Sequence, residues 1–297
     1  MSKTFIGILC GLGAASIWGG MYVVSKVVLE IIPPFSLVTL RLLLGALTLF
    51  IVLVMRGAPR IPRRQFWQVT GVGFVGYGIS LSLQFLGTKL STAANGSLVT
   101  SATPAFVLIF AWLLLREQIT AGRLAALGLS TLGVFAVIDP RTAQLNPDLF
   151  LGNLLLLGAG ITWALYSVLV RKATQALDVL PFSLIAFLGG LPVAAPAGAW
   201  ELATVGVGEI SPGVLGGVLF LGVISTALAM VLWNTAFAFV DASLASLTFF
   251  AQPLVGTLLG WLFLGERITP LFLIGGALIG AGLVISSREP APLDSRS

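Results

Sequence analysis

The chain is 297 residues long, 57% hydrophobic and 9% charged, with mean hydropathy +1.05; so little polar surface excludes a water-soluble globule of this length. A net charge of +5 and a pI near 9.9 would point to nucleic acid in a soluble domain, but here the Lys and Arg residues fall between apolar runs, where they act as topology signals, and no nucleic-acid partner is expected. The single cysteine, Cys10, and the lack of histidine exclude an intramolecular disulfide and remove the commonest metal ligand and proton shuttle.

Breaks at charges, Gly and Pro divide the chain into ten apolar runs, about 5–29, 35–55, 66–87, 92–115, 121–138, 150–170, 181–200, 212–237, 242–264 and 270–287. Most approach the ~20 residues that a helix needs to cross a bilayer, and all exceed the alternating strands of a barrel, so an all-α integral membrane fold is expected. The first run follows directly on Ser2-Lys3-Thr4 and reads as a retained span, not a cleaved signal. It sets Trp18, Tyr22 and Ser25 on one helical face. Lys26 and Arg41 lie near the outer ends of the first two spans, where long basic side chains snorkel to the interface or attract a carboxylate from the outer side. The third span sets Tyr77, Ser80 and Gln84 on one face. The fourth carries Asn95, Thr100 and Thr103 before Pro104; the sixth Trp163 and Tyr166; the eighth Thr226, Trp233 and Asn234; the ninth Phe249, Phe250 and Gln252 before Pro253. The fifth and tenth are short and Gly-rich, as suits close helix packing. Trp67, Trp112, Trp200 and Trp261 sit near span ends and read as an interfacial belt.

The chain repeats itself. Residues 93–120 (AANGSLVTSATPAFVLIFAWLLLREQIT) align without a gap on 242–269 (ASLASLTFFAQPLVGTLLGWLFLGERIT) at a shift of 149, with 11 of 28 positions identical, including the Pro, a Trp eight residues later and a Glu-x-Ile-Thr exit. Trp18 to Lys26 faces Trp163 to Arg171 at a shift of 145. The spans therefore divide five and five, into residues 1–145 and 146–297. Five is odd, so the second copy must cross in the opposite sense. The fold expected is ten transmembrane helices in two inverted five-helix repeats around a central cavity, the architecture of secondary transporters. With the N-terminus inside, eleven basic residues (Lys3, Arg56, Arg60, Arg63, Arg64, Arg116, Arg123, Arg171, Lys172, Arg288 and Arg296) lie inside against five outside, which puts both termini in the cytoplasm.

Ile17-Trp18-Gly19 with Lys26 closing the first span, Pro33-Pro34 followed by Arg41, and the Pro-then-Glu-Gln/Arg-Ile-Thr segments ending the fourth and ninth spans resemble the EamA-type members of the drug/metabolite transporter superfamily over about residues 5–287. The resemblance implies a bacterial inner-membrane exporter of small metabolites, and within the superfamily the chain looks most like the aromatic amino-acid exporter branch.

Polar and aromatic groups at membrane depth need a partner or a cavity, which makes them the candidates for substrate contact. These are Trp18, Tyr22, Tyr77, Ser80, Gln84, Asn95, Thr100, Trp163, Tyr166, Thr226, Trp233, Asn234, Phe249 and Gln252. For each hydroxyl the competing reading is a bond to its own i−4 carbonyl or to a neighbouring helix. Pro104 and Pro253, read as mid-span, each remove a backbone hydrogen bond and kink their helix, as hinges or as static bends. Glu117 and Glu266 read as acidic first-turn caps of the helices that follow them.

All acidic residues fall in loops, tails or span ends, so no carboxylate pair, metal motif or phosphate loop exists at depth; no enzyme and no cofactor are expected. The expected function is export of amino acids, aromatic ones included, by alternating access, with the bilayer and a small-molecule substrate as the only partners. The oligomeric state is not fixed by the sequence, and a monomer satisfies it. The alternatives are an exporter of drugs or other neutral amphiphiles and, further off, a nucleotide-sugar or sugar-phosphate carrier. The last would need cationic charge at depth to hold phosphate, and none is read between the span ends.

Overall fold

The structure is a computed structural model describing residues 2–57, 61–138, 147–264 and 270–288. Among these residues there are helices and no strands. They are α1 (Lys3–Val28), α2 (Pro34–Arg56), α3 (Arg63–Leu90), α4 (Ala93–Thr100), α5 (Thr103–Leu115), α6 (Ala121–Ile138), α7 (Phe150–Ala173), α8 (Val179–Thr204), α9 (Pro212–Phe239), α10 (Ala242–Leu247), α11 (Ala251–Leu264) and α12 (Pro270–Arg288). Eight stretches are long and apolar enough to cross a membrane, α10 and α11 counting as one; the helices at Thr103–Leu115 and Ala121–Val137 are shorter apolar ones.

Local chemistry sets the ends. Ser2 Oγ accepts from Phe5 N at 3.2 Å and opens α1. Ser211 Oγ accepts from Val214 N at 3.3 Å, with Pro212 in the first turn where no donor is needed, and opens α9. Gly57 at φ 80° closes α2, and Arg116, at φ 58°, turns left-handed to close α5. The helices are apolar all round because they face two apolar media. On α2, Leu43, Leu47, Phe50, Ile51 and Val54 are exposed on the lipid side, while Leu42, Ala46, Leu49 and Leu53 are buried.

Small residues decide which helices meet. A Cβ on Gly133 of α6 would lie 2.7 Å from the Gly275 carbonyl of α12, and one on Gly275 would lie 2.5 Å from the Gly133 carbonyl, so only glycine allows this crossing. The sense of packing follows from such contacts. Gly45, Leu42 and Phe35 of α2 lie against Phe187, Gly190 and Gly198 of α8 respectively, and Val137, Gly133 and Ala126 of α6 lie against Gly275, Ile279 and Gly282 of α12. Both pairs are antiparallel. Each joins a helix to its equivalent in the other half of the sequence. Two other packings occur twice: α1 on α9 (Gly7–Phe239, Val28–Gly217) is matched by α7 on α3 (Leu156–Gly87, Tyr166–Gly76), and α1 on α11 by α7 on α5.

Two features had no signal in the residue pattern. Wide π-helical turns interrupt α3 at Phe74–Ser80 and α9 at Phe220–Leu228, equivalent stretches of the two halves. Among the described residues, the prolines inside an unbroken helix are Pro192 and Pro196 of α8. Pro104 and Pro253, expected as mid-span kinks, instead lie in the first turns of α5 and α11. The break precedes each, as a turn at Ser101-Ala102 and a 3-10 turn at Thr248–Phe250. A first-turn proline removes no internal bond, so at these two sites the helical hydrogen-bond ladder is broken by the interruptions.

Candidate functional site

Between the helices, α1, α3, α4, α5, α7, α9 and the α10–α11 segment line a cavity of about 30 Å³, room for a water or two. Of the residues singled out from the sequence, Trp18, Ser80, Gln84, Thr100, Trp163, Phe249 and Gln252 line it, joined by Met21, Leu81, Thr103, Ala159, Gly160 and Met230. Its wall is an aromatic cluster. Trp18 meets Trp163 edge to face with centroids 5.7 Å apart, and Phe249 lies 6.1 Å from Trp18. Trp233 packs behind, 5.2 Å from Trp18 and stacked on Trp163 at 6.4 Å.

Hydrogen bonding sorts the polar residues into two groups. The first is saturated by the protein. Because Tyr166 Oη donates to Asn234 Oδ1 (2.8 Å), Tyr77 Oη must donate to Tyr166 (2.5 Å), and Asn234 Nδ2 passes on to Ser183 Oγ (2.9 Å). Thr100 Oγ1 gives its proton to Gly96 O (2.6 Å), so Tyr22 Oη donates to Thr100 (3.0 Å) and accepts from Gln84 Nε2 (2.9 Å). Trp233 Nε1 donates to Ser167 Oγ at 3.1 Å. Asn95 is drawn to one end of the bundle, where its Nδ2 meets Asn153 Oδ1 at 3.0 Å and Ser91 Oγ at 3.2 Å. Thr226 donates to Leu221 O (2.6 Å), five residues back across the π turn. Tyr22, Tyr77, Tyr166, Thr226, Trp233, Asn234 and Asn95 lie outside the cavity lining, and their polar atoms are engaged.

The second group faces the cavity. Trp163 Nε1, Thr103 Oγ1 and Gln252 Oε1 belong to lining residues and have no hydrogen-bond partner. A buried orphan costs about 1–3 kcal/mol, so one donor, one acceptor and one hydroxyl left without partners among the residues of one cavity lining need a reason. Trp18 shows the contrast: its Nε1 is satisfied by Ser225 O at 3.1 Å, a carbonyl of the π turn in α9.

Among the described residues, charged groups lie at the two ends of the bundle, with one exception. Glu117 was expected to cap the helix after it. Its carboxylate instead reaches α10, accepting from Ala242 N (2.8 Å), Ser243 N (3.2 Å) and Ser243 Oγ (2.5 Å). Arg123 pairs with Glu117 at 3.2 Å and with Asp241 at 3.0 Å, and Arg171 lies 3.6 Å from Asp241. Burial above all, with the Glu117 charge second, raises the Asp241 carboxyl above the usual carboxylate range against the pull of Arg123 and Arg171. Glu266 and Trp261 lie outside the described residues and side chains. At the other end of the bundle, Lys26 does not snorkel free but donates to the carbonyls of Thr88 (3.1 Å), Lys89 (3.4 Å) and Ser91 (2.7 Å), closing α3. Its equivalent Arg171 donates to the carbonyls of Phe237 (3.3 Å) and Ala238 (2.9 Å), closing α9 in the same way.

The exception is Arg41. Read from the sequence as an interfacial residue, it is 0% exposed, so the expectation that no cationic charge lies between the span ends is wrong. Snorkelling fails because α8, α3 and α9 cover it: its guanidinium rests 4.6 Å above the Phe85 ring and donates to Thr226 Oγ1 at 3.0 Å. Among the described residues, no group of three or more His, Cys, Asp and Glu is placed to hold a metal ion.

Comparison with known proteins puts this arrangement in context. The model of the EamA-like transporter family matches residues 5–138 and again residues 150–288. An uncharacterized transporter of Archaeoglobus fulgidus is 25% identical over 279 residues, covering 92% of this chain and 94% of its own. The uncharacterized transporter YoaV of Bacillus subtilis is 23% identical over 303 residues, covering 97% of each. One crystal structure, 21% identical, superposes with a TM-score of 0.78 over 94% of this chain and 96% of its own, a likeness of fold.

Proposed function

The chain belongs to the EamA-like transporter family, and we propose that it exports amino-acid-sized metabolites, aromatic amino acids among them, from the bacterial cytoplasm by alternating access through the central cavity. The observation that carries this reading is the orphan set on the aromatic wall: Trp163 Nε1, Gln252 Oε1 and Thr103 Oγ1 offer a donor, an acceptor and a hydroxyl beside three indole rings. An amphiphile with a flat apolar body and a few polar groups supplies what each lacks.

The cavity of about 30 Å³ is too small for such a molecule, so the walls must part to admit it. The packing offers a way. The antiparallel runs of α2 on α8 and α6 on α12 support an inverted repeat, residues 1–145 against 146–297, and in such a pair one half rocks against the other around a fixed site. The clamp at one end is ionic, Glu117–Arg123–Asp241–Arg171. At the other end Thr92 stands where Asp241 does, its hydroxyl accepting from Asn95 N at 3.0 Å. Unequal clamps give the two ends of the bundle different closing energies. The inward bias of basic residues supports a cytoplasmic location for both termini, hence for the ionic end.

Counterflow in proteoliposomes tests the reading. Vesicles preloaded with unlabelled compound should accumulate external labelled aromatic amino acid transiently and saturably. Saturable exchange of neutral or cationic drugs with none of amino acids would replace the substrate class, and no saturable exchange of any compound would overturn the transporter reading of this cavity.

A further inference from the structure

Arg41 is the eighth residue of α2, roughly 10 Å along the helix from its start at Pro34. It is buried, and among the described residues no carboxylate lies within ion-pair distance of it. Its hydrogen bonds are uneven. Nε is well held by Thr226 Oγ1 at 3.0 Å, Nη2 reaches Ser225 Oγ only at 3.4 Å, and Nη1 has no partner. The engaged edge of the guanidinium is therefore the Nε edge. The Nη1–Nη2 fork, whose geometry matches the two oxygens of a carboxylate, is nearly unused. A charge in hydrocarbon with only hydroxyls and a ring face around it is poorly compensated.

This fork stands one layer behind the cavity wall. Ser225, whose hydroxyl meets Nη2, gives its carbonyl to Trp18 Nε1, and Trp18 lines the cavity. Phe85, under the guanidinium, lies one helical turn beyond Leu81, another lining residue. We propose that Arg41 is a carboxylate-binding group of the transported substrate: when the walls part, a substrate carboxylate takes the Nη1–Nη2 edge, displacing the long Ser225 contact, while the apolar body lies on Trp18 and Trp163. The transported species is then a carboxylate-bearing compound, and a neutral analogue of the same shape is rejected because it leaves the buried cation unpaired. This inference rests on the central cavity being the transport site.

The test uses the purified full chain and a matched pair of probes, 3-phenylpropanoate and 3-phenylpropanamide, first in a chloride-free buffer of low ionic strength without carboxylate anions and then with chloride added. Binding is read by ligand-induced stabilisation and by inhibition of counterflow. For the wild type the acid should bind at least about tenfold more tightly than the amide, the discrimination expected of a buried charge pair. Arg41→Gln should bring the ratio near one by weakening the acid, and Arg41→Lys should restore part of it. Trp163→Phe should weaken both probes alike and keep the ratio. Equal binding of acid and amide to the wild type overturns the inference even if the Arg41 variants fail to fold, and so does chloride alone stabilising the protein with no preference between the probes. Failure of every compound to bind or exchange is a different result, since it removes the cavity as the transport site.

Discussion

Removing the Glu117 carboxylate should unlatch one end of the bundle. Glu117→Ala deletes an ion pair whose side chains are only 5% and 6% exposed, together with three accepted hydrogen bonds from Ala242 and Ser243. A helix cap alone is worth about 1 kcal/mol, whereas removing one of the two carboxylates that hold Arg123 and leaving the buried Ala242 and Ser243 donors without their acceptor costs about 3–5 kcal/mol. The geometry puts Glu117 in the second class. At about 2–4 °C per kcal/mol for a chain of comparable size, thermal unfolding in detergent should fall by roughly 6–20 °C. Glu117→Gln keeps an acceptor for the α10 amides but loses the charge facing Arg123, and should lie between the wild type and the Ala variant. A Glu117→Ala protein melting within about 2 °C of the wild type would refute the clamp and return Glu117 to a solvated cap.

Three further outcomes follow. Trp163→Phe removes a donor that has no protein partner, so it should cost less stability than Trp18→Phe while raising the counterflow half-saturation about fivefold, the worth of one ~1 kcal/mol hydrogen bond. Trp18→Phe should lower stability, because it breaks the bond to Ser225; the reverse ordering would reassign both rings. Asp241 has a raised carboxyl pKa in the folded chain, so the folded state binds its proton first; its contribution to stability is fullest below the ordinary carboxylate value and fades as pH rises through the raised one. Melting curves taken across that window should slope for the wild type and flatten for Asp241→Asn, and an unchanged slope would assign the titration elsewhere. Reporter tags after Arg56 and after Thr204, the ends of the antiparallel α2 and α8, should report opposite faces of the membrane, and the same face for both would remove the inversion.

Much of the fold is legible in the sequence because a bilayer demands long apolar runs and a duplicated chain displays its own repeat. The Pro104 and Pro253 segments announced equivalent sites, but not that the chain would break within a turn ahead of each proline. That break, like the π turns at Phe74–Ser80 and Phe220–Leu228, arises from packing between helices and leaves no periodic trace. The candidate site was half legible. Depth picked out Trp18, Trp163 and Gln252, yet depth alone does not separate them from Tyr77, Tyr166 and Asn234, whose hydrogen bonds are completed by one another. Arg41 was misread because a basic residue a third of the way along a span can reach water only if nothing packs over it, and burial by α3, α8 and α9 is a tertiary fact. Glu117 was misread for the same reason, its partners lying 125 and 126 residues away.

The central claim is that one buried cavity opens to both faces of the membrane in turn. Thr103 lines it and is 1% exposed in this structure, so a thiol placed there reacts only when the walls part. In oriented vesicles, with Cys10 first replaced by Ala, Thr103→Cys should be modified by a membrane-impermeant thiol reagent added to either face, and a transported aromatic amino acid should slow both reactions. Modification from one face alone, unaffected by substrate, would contradict it.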